Sequence, residues 1–169
     1  MTAGFLKLLP IFKKKSLSQI IMNENWTKLQ FECAAHSKRA KVKTKLAGFY
    51  DGTYDARLLP LHQMCSLDPP KKALTAMIEA NPRAVWKREH TFERLPLHIA
   101  CINNASDDVI LTLLSHYKQA AKGKDVAGRV PLHYACCNDV SINVIKALLK
   151  AYPEATVTKD HVGWLPVHV

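Results

Sequence analysis

The chain has 169 residues, 48% hydrophobic and 22% charged, enough apolar sequence to bury a core as one globular domain, which excludes a disordered tail. Its net charge of +10 is uneven: residues 1–57 carry 11 Lys/Arg against 4 Asp/Glu, or +7, and residues 58–169 carry 13 against 10, or +3. No run approaches the roughly 18 apolar residues of a membrane span, and five Cys, an odd number, point to a reducing compartment without disulfides.

In chain order, residues 1–24 read as a basic N-terminal tail. The opening "MTAGFLKLLPIF" carries Lys7 inside its apolar stretch and is followed by Lys13, Lys14 and Lys15, the reverse of a secretory leader. The expected location is therefore cytoplasmic. A short membrane anchor over "FLKLLPIFKKK" is a weaker reading, because Pro10 interrupts the helix. Residues 25–57 begin with "WTKLQFECAAHSKRA", which reads as a helix with Trp26, Leu29 and Cys33 on one face. The run "SKRAKVKTK" then crowds Lys38, Arg39, Lys41, Lys43 and Lys45, a pattern compatible with nuclear import or with an anionic partner. The plainer reading is a solvated basic loop.

From residue 58 the sequence repeats. "LLPLHQMCSLD", "RLPLHIACINN" and "RVPLHYACCND" begin at 58, 94 and 129, and "WLPVHV" begins a fourth copy at 164, so that His62, His98, His133 and His168 stand 36, 35 and 35 residues apart. Pro60, Pro96, Pro131 and Pro166 suit the first turn of a helix, where a missing N–H costs nothing. The connectors "SLDPPKK", "INNASDD" and "CNDVSIN" break that helix, with Ser106 and Ser141 as candidate caps for the next. Then come Ala73, Leu74, Met77 and Ile78; Val109, Ile110, Leu113 and Leu114; and Val144, Ile145, Leu148 and Leu149. Positions i, i+1, i+4 and i+5 form one apolar helical stripe. "NPRA", "YKQA" and "YPEA" follow, two of them with a Pro that stops the helix. The expected core is Leu74, Ile78, Ile110, Leu114, Ile145 and Leu149 with Leu61, Leu97 and Leu132.

These residues resemble the ankyrin repeat family, whose signature is Thr-Pro-Leu-His-x-Ala, a second helix and a hairpin loop at a period of about 33. The match is fullest where Asp125 and Asp160 open the loop, Gly128 and Gly163 turn it, and Ala135 takes the close-packing position. The resemblance implies an all-α solenoid of stacked helix-turn-helix repeats with hairpin loops. Its units are a degenerate first one at 25–57, three from about 58, 93 and 128, and an incomplete one at 160–169. The chain departs from the family where Leu59, Leu95, Val130 and Leu165 replace the Thr, so the His loses its hydroxyl partner, and a backbone carbonyl of the next loop becomes the expected substitute. Arg57 and Glu93 replace the turn Gly, predicting less regular hairpins there.

His and Cys three residues apart, as in His62/Cys65, His98/Cys101 and His133/Cys136, could put two metal ligands on one helical face. Neighbouring helices packed about 8 to 10 Å apart cannot converge such pairs on one Zn with ligands at about 2.0 to 2.3 Å. The sequence therefore predicts no metal and no cofactor. Cys at these positions reads as a small core residue and His as a structural hydrogen-bonder, with Cys137 outside the phase and exposed. A Gly-rich phosphate loop, a nucleophile elbow and a paired-carboxylate spacing are all lacking, and His36, His90, His116 and His161 keep no register with a nucleophile, so catalysis is not expected.

The resemblance implies a non-catalytic scaffold that binds another protein along a concave face of hairpin loops and first helices. Carried over by position, its contacts would be the residue two before each Pro (Leu58, Arg94, Arg129, Trp164), the loop tips (Thr91, Phe92, Val126, His161) and the end of the first helix (Ile102, Asn103, Cys137, Asn138). With Lys124 and Lys159, the two arginines would make one side of the groove basic and suit an acidic partner. The alternative is nucleic-acid or anionic-surface binding through the basic N-terminal segment, against which stands the lack of aromatics between its lysines. Because the last unit has no second helix in the sequence, its edge is expected to be completed by further chain or by a partner, including a second copy.

Overall fold

Two stacked rows of helices make up the chain in a computed structural model that describes residues 16–50, 52 and 54–169; the suggested membrane anchor at residues 5–15 lies outside the described residues. The first row is α1 (Leu17–Met22), α3 (Pro60–Met64), α5 (Pro96–Ile102) and α7 (Pro131–Cys137). The second is α2 (Trp26–Ala35), α4 (Lys71–Ala80), α6 (Asp107–His116) and α8 (Ile142–Ala151). Each helix packs on its own-row neighbours and on its partner within the unit.

Why these segments turn where they do is written at fixed phase. Pro at N1 starts α3, α5 and α7. Glu24, Asp68, Asn104 and Asp139, 44, 36 and 35 residues apart, take positive φ near +50° in the connector that follows each first helix, a left-handed conformation that Asn and Asp tolerate best. Each second helix ends in a 3₁₀ turn, at Ser37–Lys41, Pro82–Trp86, Lys118–Lys122 and Pro153–Val157. These turns bury Ala40, Ala84, Ala120 and Ala155, spaced by the same 44, 36 and 35 residues.

The apolar stripe is the core. Leu61, Leu97, Leu132, Leu74, Ile78, Ile110 and Leu114 are buried in one cluster, whereas Ile145 and Leu149 are half-buried and Val144 and Leu148 take the covered side of α8. The reason is directional: among the described residues α8 has α6 as its second-row neighbour, and Ile145 lines an open pocket shared with Pro166 and Val167.

Three expectations are corrected. The fold is mainly helical but contains a hairpin, β1 (Thr44–Tyr50) and β2 (Tyr54–Leu58), antiparallel with Thr44 opposite Leu58 and Leu46 opposite Ala56. This hairpin accommodates the longer first interval of 44 residues, and its register shifts between Leu46 and Tyr50, an irregularity in the loop where Arg57 stands in place of the turn Gly. Helix α1, assigned by sequence to the tail, is capped by Ser16 and Gln19 in reciprocal hydrogen bonds of 3.2 and 3.1 Å, and its Leu17, Ile20 and Ile21 join the common core. Ser141 caps α8 by accepting from the Val144 N–H at 3.3 Å, but Ser106 does not cap α6; its own N–H donates to Asp68 Oδ1 at 2.8 Å.

Candidate partner-binding surface

Each of the three loops that follow the β hairpin is closed by one buried carboxylate. Asp125 Oδ1 accepts the N–H groups of Ala127 and Arg129 at 2.9 and 3.0 Å; Asp160 Oδ1 accepts those of Val162 and Trp164 at 3.0 and 2.9 Å. Glu89 does the same for Thr91, Phe92 and Arg94 at 2.6 to 3.1 Å, the longer side chain spanning a loop that lacks the glycine. Where Gly128 and Gly163 turn with φ of +76° and +94°, Glu93 holds φ +53°. Gly128 is also required for space, because a Cβ there would lie 2.5 Å from the His161 ring.

The carboxylates then couple successive units. Arg94 Nε lies 3.5 Å from Asp125 Oδ2, and its Nη2 donates to Tyr134 Oη at 3.1 Å; the Tyr134 hydroxyl donates to the same Asp125 oxygen. One unit further on, Arg129 Nε donates to Asp160 Oδ2 at 3.0 Å. Arg94 is also enclosed by rings, 5.0 Å from the centre of Tyr50, 4.6 Å from Phe92 and 5.2 Å from Tyr134. Burial alone would lower its pKa, but Tyr134, Tyr50 and Asp125 outweigh that and raise it. Burial, with the bond to Asp125, pushes Tyr134 up to about 12. The Trp164 N–H, together with Arg129, holds the Asp160 carboxyl below its ordinary range against the desolvation cost.

Backbone bonds tie the loop tips in series: Val126 N–H to Phe92 O at 3.0 Å and His161 N–H to Ala127 O at 2.9 Å, with the Thr91 hydroxyl donating to Asp55 O at 2.9 Å. The repeated His holds each loop to its helix. His98 Nδ1 accepts the Leu95 N–H at 3.1 Å, and Nε2 faces Gly123 O and Arg129 O at 3.0 and 3.2 Å; His133 does likewise with Val130 N–H and Trp164 O, both at 3.2 Å. His62 Nε2 faces Lys87 O at 2.9 Å, but its Nδ1 has no hydrogen-bond partner among the described residues.

The surface residues expected from sequence divide accordingly. Arg94 and Arg129 are held in ion pairs inside the array. Phe92 is half-buried, edge-on to Tyr50 at 4.8 Å and Tyr54 at 5.4 Å. Asn103 and Asn138 turn their amides back to Ile99 O and Tyr134 O at 2.8 and 2.9 Å, closing the ends of α5 and α7. Leu58 is buried and Ile102 half-buried. Cys137, His161 and Trp164 are exposed, as are Val126, Lys124 and Lys159. Cys136, expected in the core with Cys65 and Cys101, is exposed: the element packed on α7 at this end of its row is the short Pro166–His168 turn, which leaves the Cys136 side in an open pocket. The roles of Glu89, Tyr50 and Tyr134 were missed, although the 31-residue interval from each Arg to its Asp was there to be found.

Of the "SKRAKVKTK" cations, Arg39 pairs with buried Glu32 and Lys45 with Asp55 at 2.8 Å. Among the described residues no three His, Cys, Asp or Glu gather to hold a metal, and no helix is long and apolar enough to cross a membrane.

A family model described as ankyrin repeats in three copies matches residues 61–160, about three fifths of the chain. The chain belongs to the ankyrin repeat family, whose members are in general protein-protein interaction modules and typically not enzymes. No curated protein matches it.

Proposed function

We propose that the chain is a non-catalytic scaffold that binds a partner protein along the face made by its loop tips and first helices. The observation that carries this reading is the ladder from Arg94 through Asp125 to Arg129 and Asp160. It fixes successive loops relative to one another, so a partner meets a preformed surface and binding forfeits little ordering entropy. Trp164, 47% exposed beside exposed His161 and Val162, is the anchor this surface offers, and Trp is among the residue types that most often dominate interfaces. Lys124 and Lys159 favour an acidic partner surface, which would speed association at low salt.

The test compares proteins retained from cell extract by the wild-type chain with those retained by Trp164→Ala and by Lys146→Ala, an exposed position on α8. A partner lost with Trp164→Ala, kept with Lys146→Ala and reconstituted with purified components is the expected outcome, at unchanged thermal stability of all three. A partner indifferent to Trp164 would place the contact elsewhere.

A further inference from the structure

Where the Ser37–Lys41 turn meets the Pro82–Trp86 turn, an open pocket of about 850 Å³ gathers Lys41, Lys43, Arg83 and Lys87, with Asn81 and Trp86 on the same walls. The two turns are stacked because α2 packs on α4, and the Asn81 amide pins them by donating to Ala40 O at 3.1 Å. Among the described residues the lining contains no carboxylate and none of the four cations forms an ion pair. Four like charges around one space repel each other, an arrangement that a polyanion relieves. Trp86 adds a second feature. It is 42% exposed, and its ring contact among the described aromatics is a tilted one to Tyr117 at 5.8 Å, so an indole is left half in water beside the cations.

A carboxylate-rich peptide would use the charges and leave the indole idle, and so would a bare polyphosphate. Phosphates joined to a planar base use both: the phosphates meet the ammonium and guanidinium groups, and the base stacks on the ring, as aromatic side chains do for nucleic-acid bases. The volume lies within the range that encloses one such molecule. We propose that this pocket binds nucleotides, with phosphates at Lys41, Lys43, Arg83 and Lys87 and the base on Trp86, whether as a free nucleoside triphosphate or as one unit of a single strand. The site uses none of the loop-tip residues, so its failure leaves the scaffold reading intact, and the reverse holds.

Fluorescence anisotropy of the full chain with labelled ATP and with a labelled uridine oligonucleotide tests it, with inorganic tripolyphosphate and polyglutamate as competitors. Both labelled ligands should bind and compete with each other, and whichever binds more tightly identifies the source. Arg83→Glu with Lys87→Glu should weaken both at least tenfold. Trp86→Leu should weaken both by about tenfold or more while tripolyphosphate binding stays unchanged, and Trp86→Phe should restore most of the loss. Thermal unfolding of each variant verifies the fold. Tripolyphosphate or polyglutamate competing as well as ATP, with Trp86→Leu neutral, would overturn the proposal in favour of a site that reads charge alone. Binding that survives Arg83→Glu with Lys87→Glu would overturn it in favour of a site elsewhere on the chain.

Discussion

The ring of His98 accepts the main-chain N–H of Leu95 through Nδ1 at 3.1 Å, three residues back along its own helix. That bond satisfies the N-cap donor and leaves the proton on Nε2, which faces Gly123 O and Arg129 O, so the ring is neutral and both nitrogens are used. The family's Thr hydroxyl is not needed to orient it.

Stability should fall on acidification between about pH 6.5 and pH 4. Burial lowers the pKa of both His62 and His98 to about 4. The unfolded chain takes up these protons near 6.5 and the folded chain does not, so the contribution is complete above 6.5 and is lost as pH falls toward 4. About 1 to 2 kcal/mol for each ring is expected between pH 7 and pH 5. Denaturant midpoints across that range measure it, and a flat profile would mean that the rings charge without disturbing the fold.

Asp125→Ala should be among the most damaging single changes. It removes the acceptor for the Ala127 and Arg129 N–H groups and strands Arg94 and Tyr134, for a loss of about 3 to 5 kcal/mol. Arg94→Met should cost less, and the double variant less than the sum, because the pair acts as a unit. Strict additivity in a double-mutant cycle would show that the two do not interact.

Much of this was legible because the repeat fixes phase. The Pro-Leu-His spacing placed α3, α5 and α7, and the four apolar positions placed α4, α6 and α8. The hairpin was not anticipated, although "FYDGTYDARL" carries an Asp-Gly pair between aromatic and β-branched residues, a hairpin signal that a helical period obscures. Helix α1 was missed because Ser16 and Ser18 stand where the motif has Pro and His, leaving Leu17, Ile20 and Ile21 too brief a pattern to recognise. For the surface, position within the repeat could locate Arg94 and Arg129 but could not say that each faces the next unit's aspartate; that depends on how two units stack.

Glu93→Gly should stabilise the chain. Its φ of +53° is left-handed, a conformation that costs an ordinary L-residue roughly 1 to 2 kcal/mol, partly offset by the greater unfolded entropy of Gly. A gain of about 0.5 to 1 kcal/mol is expected in denaturant unfolding. Gly128→Ala should do the reverse and lose more than that, since the His161 ring occupies the space its Cβ needs.

Leu114→Ala should cost on the order of 2 to 5 kcal/mol, as expected for a buried Leu between α4 and α8. Leu149→Ala, on the half-buried side of α8, should cost clearly less. Equal losses in thermal or denaturant unfolding would show that the outer side of α8 is covered in solution.

Thiol chemistry should divide the five cysteines into two classes. Cys33, Cys65 and Cys101 are buried, and Cys136 and Cys137 exposed. Burial pushes Cys33 up to about 11 and Cys101 up to about 12, and raises Cys65 further, so these three present neither access nor thiolate near pH 8. Partial burial, followed by Cys137 as a neighbour, also raises Cys136, which slows its reaction without preventing it. Maleimide labelling of the native chain followed by mass spectrometry should therefore mark Cys136 and Cys137, leaving the other three until denaturant is added. Substituting Ser for both exposed cysteines should abolish native labelling at little cost in stability. Uptake at all five positions with one rate would mean that the packing of α3 and α5 over Cys65 and Cys101 does not persist in solution.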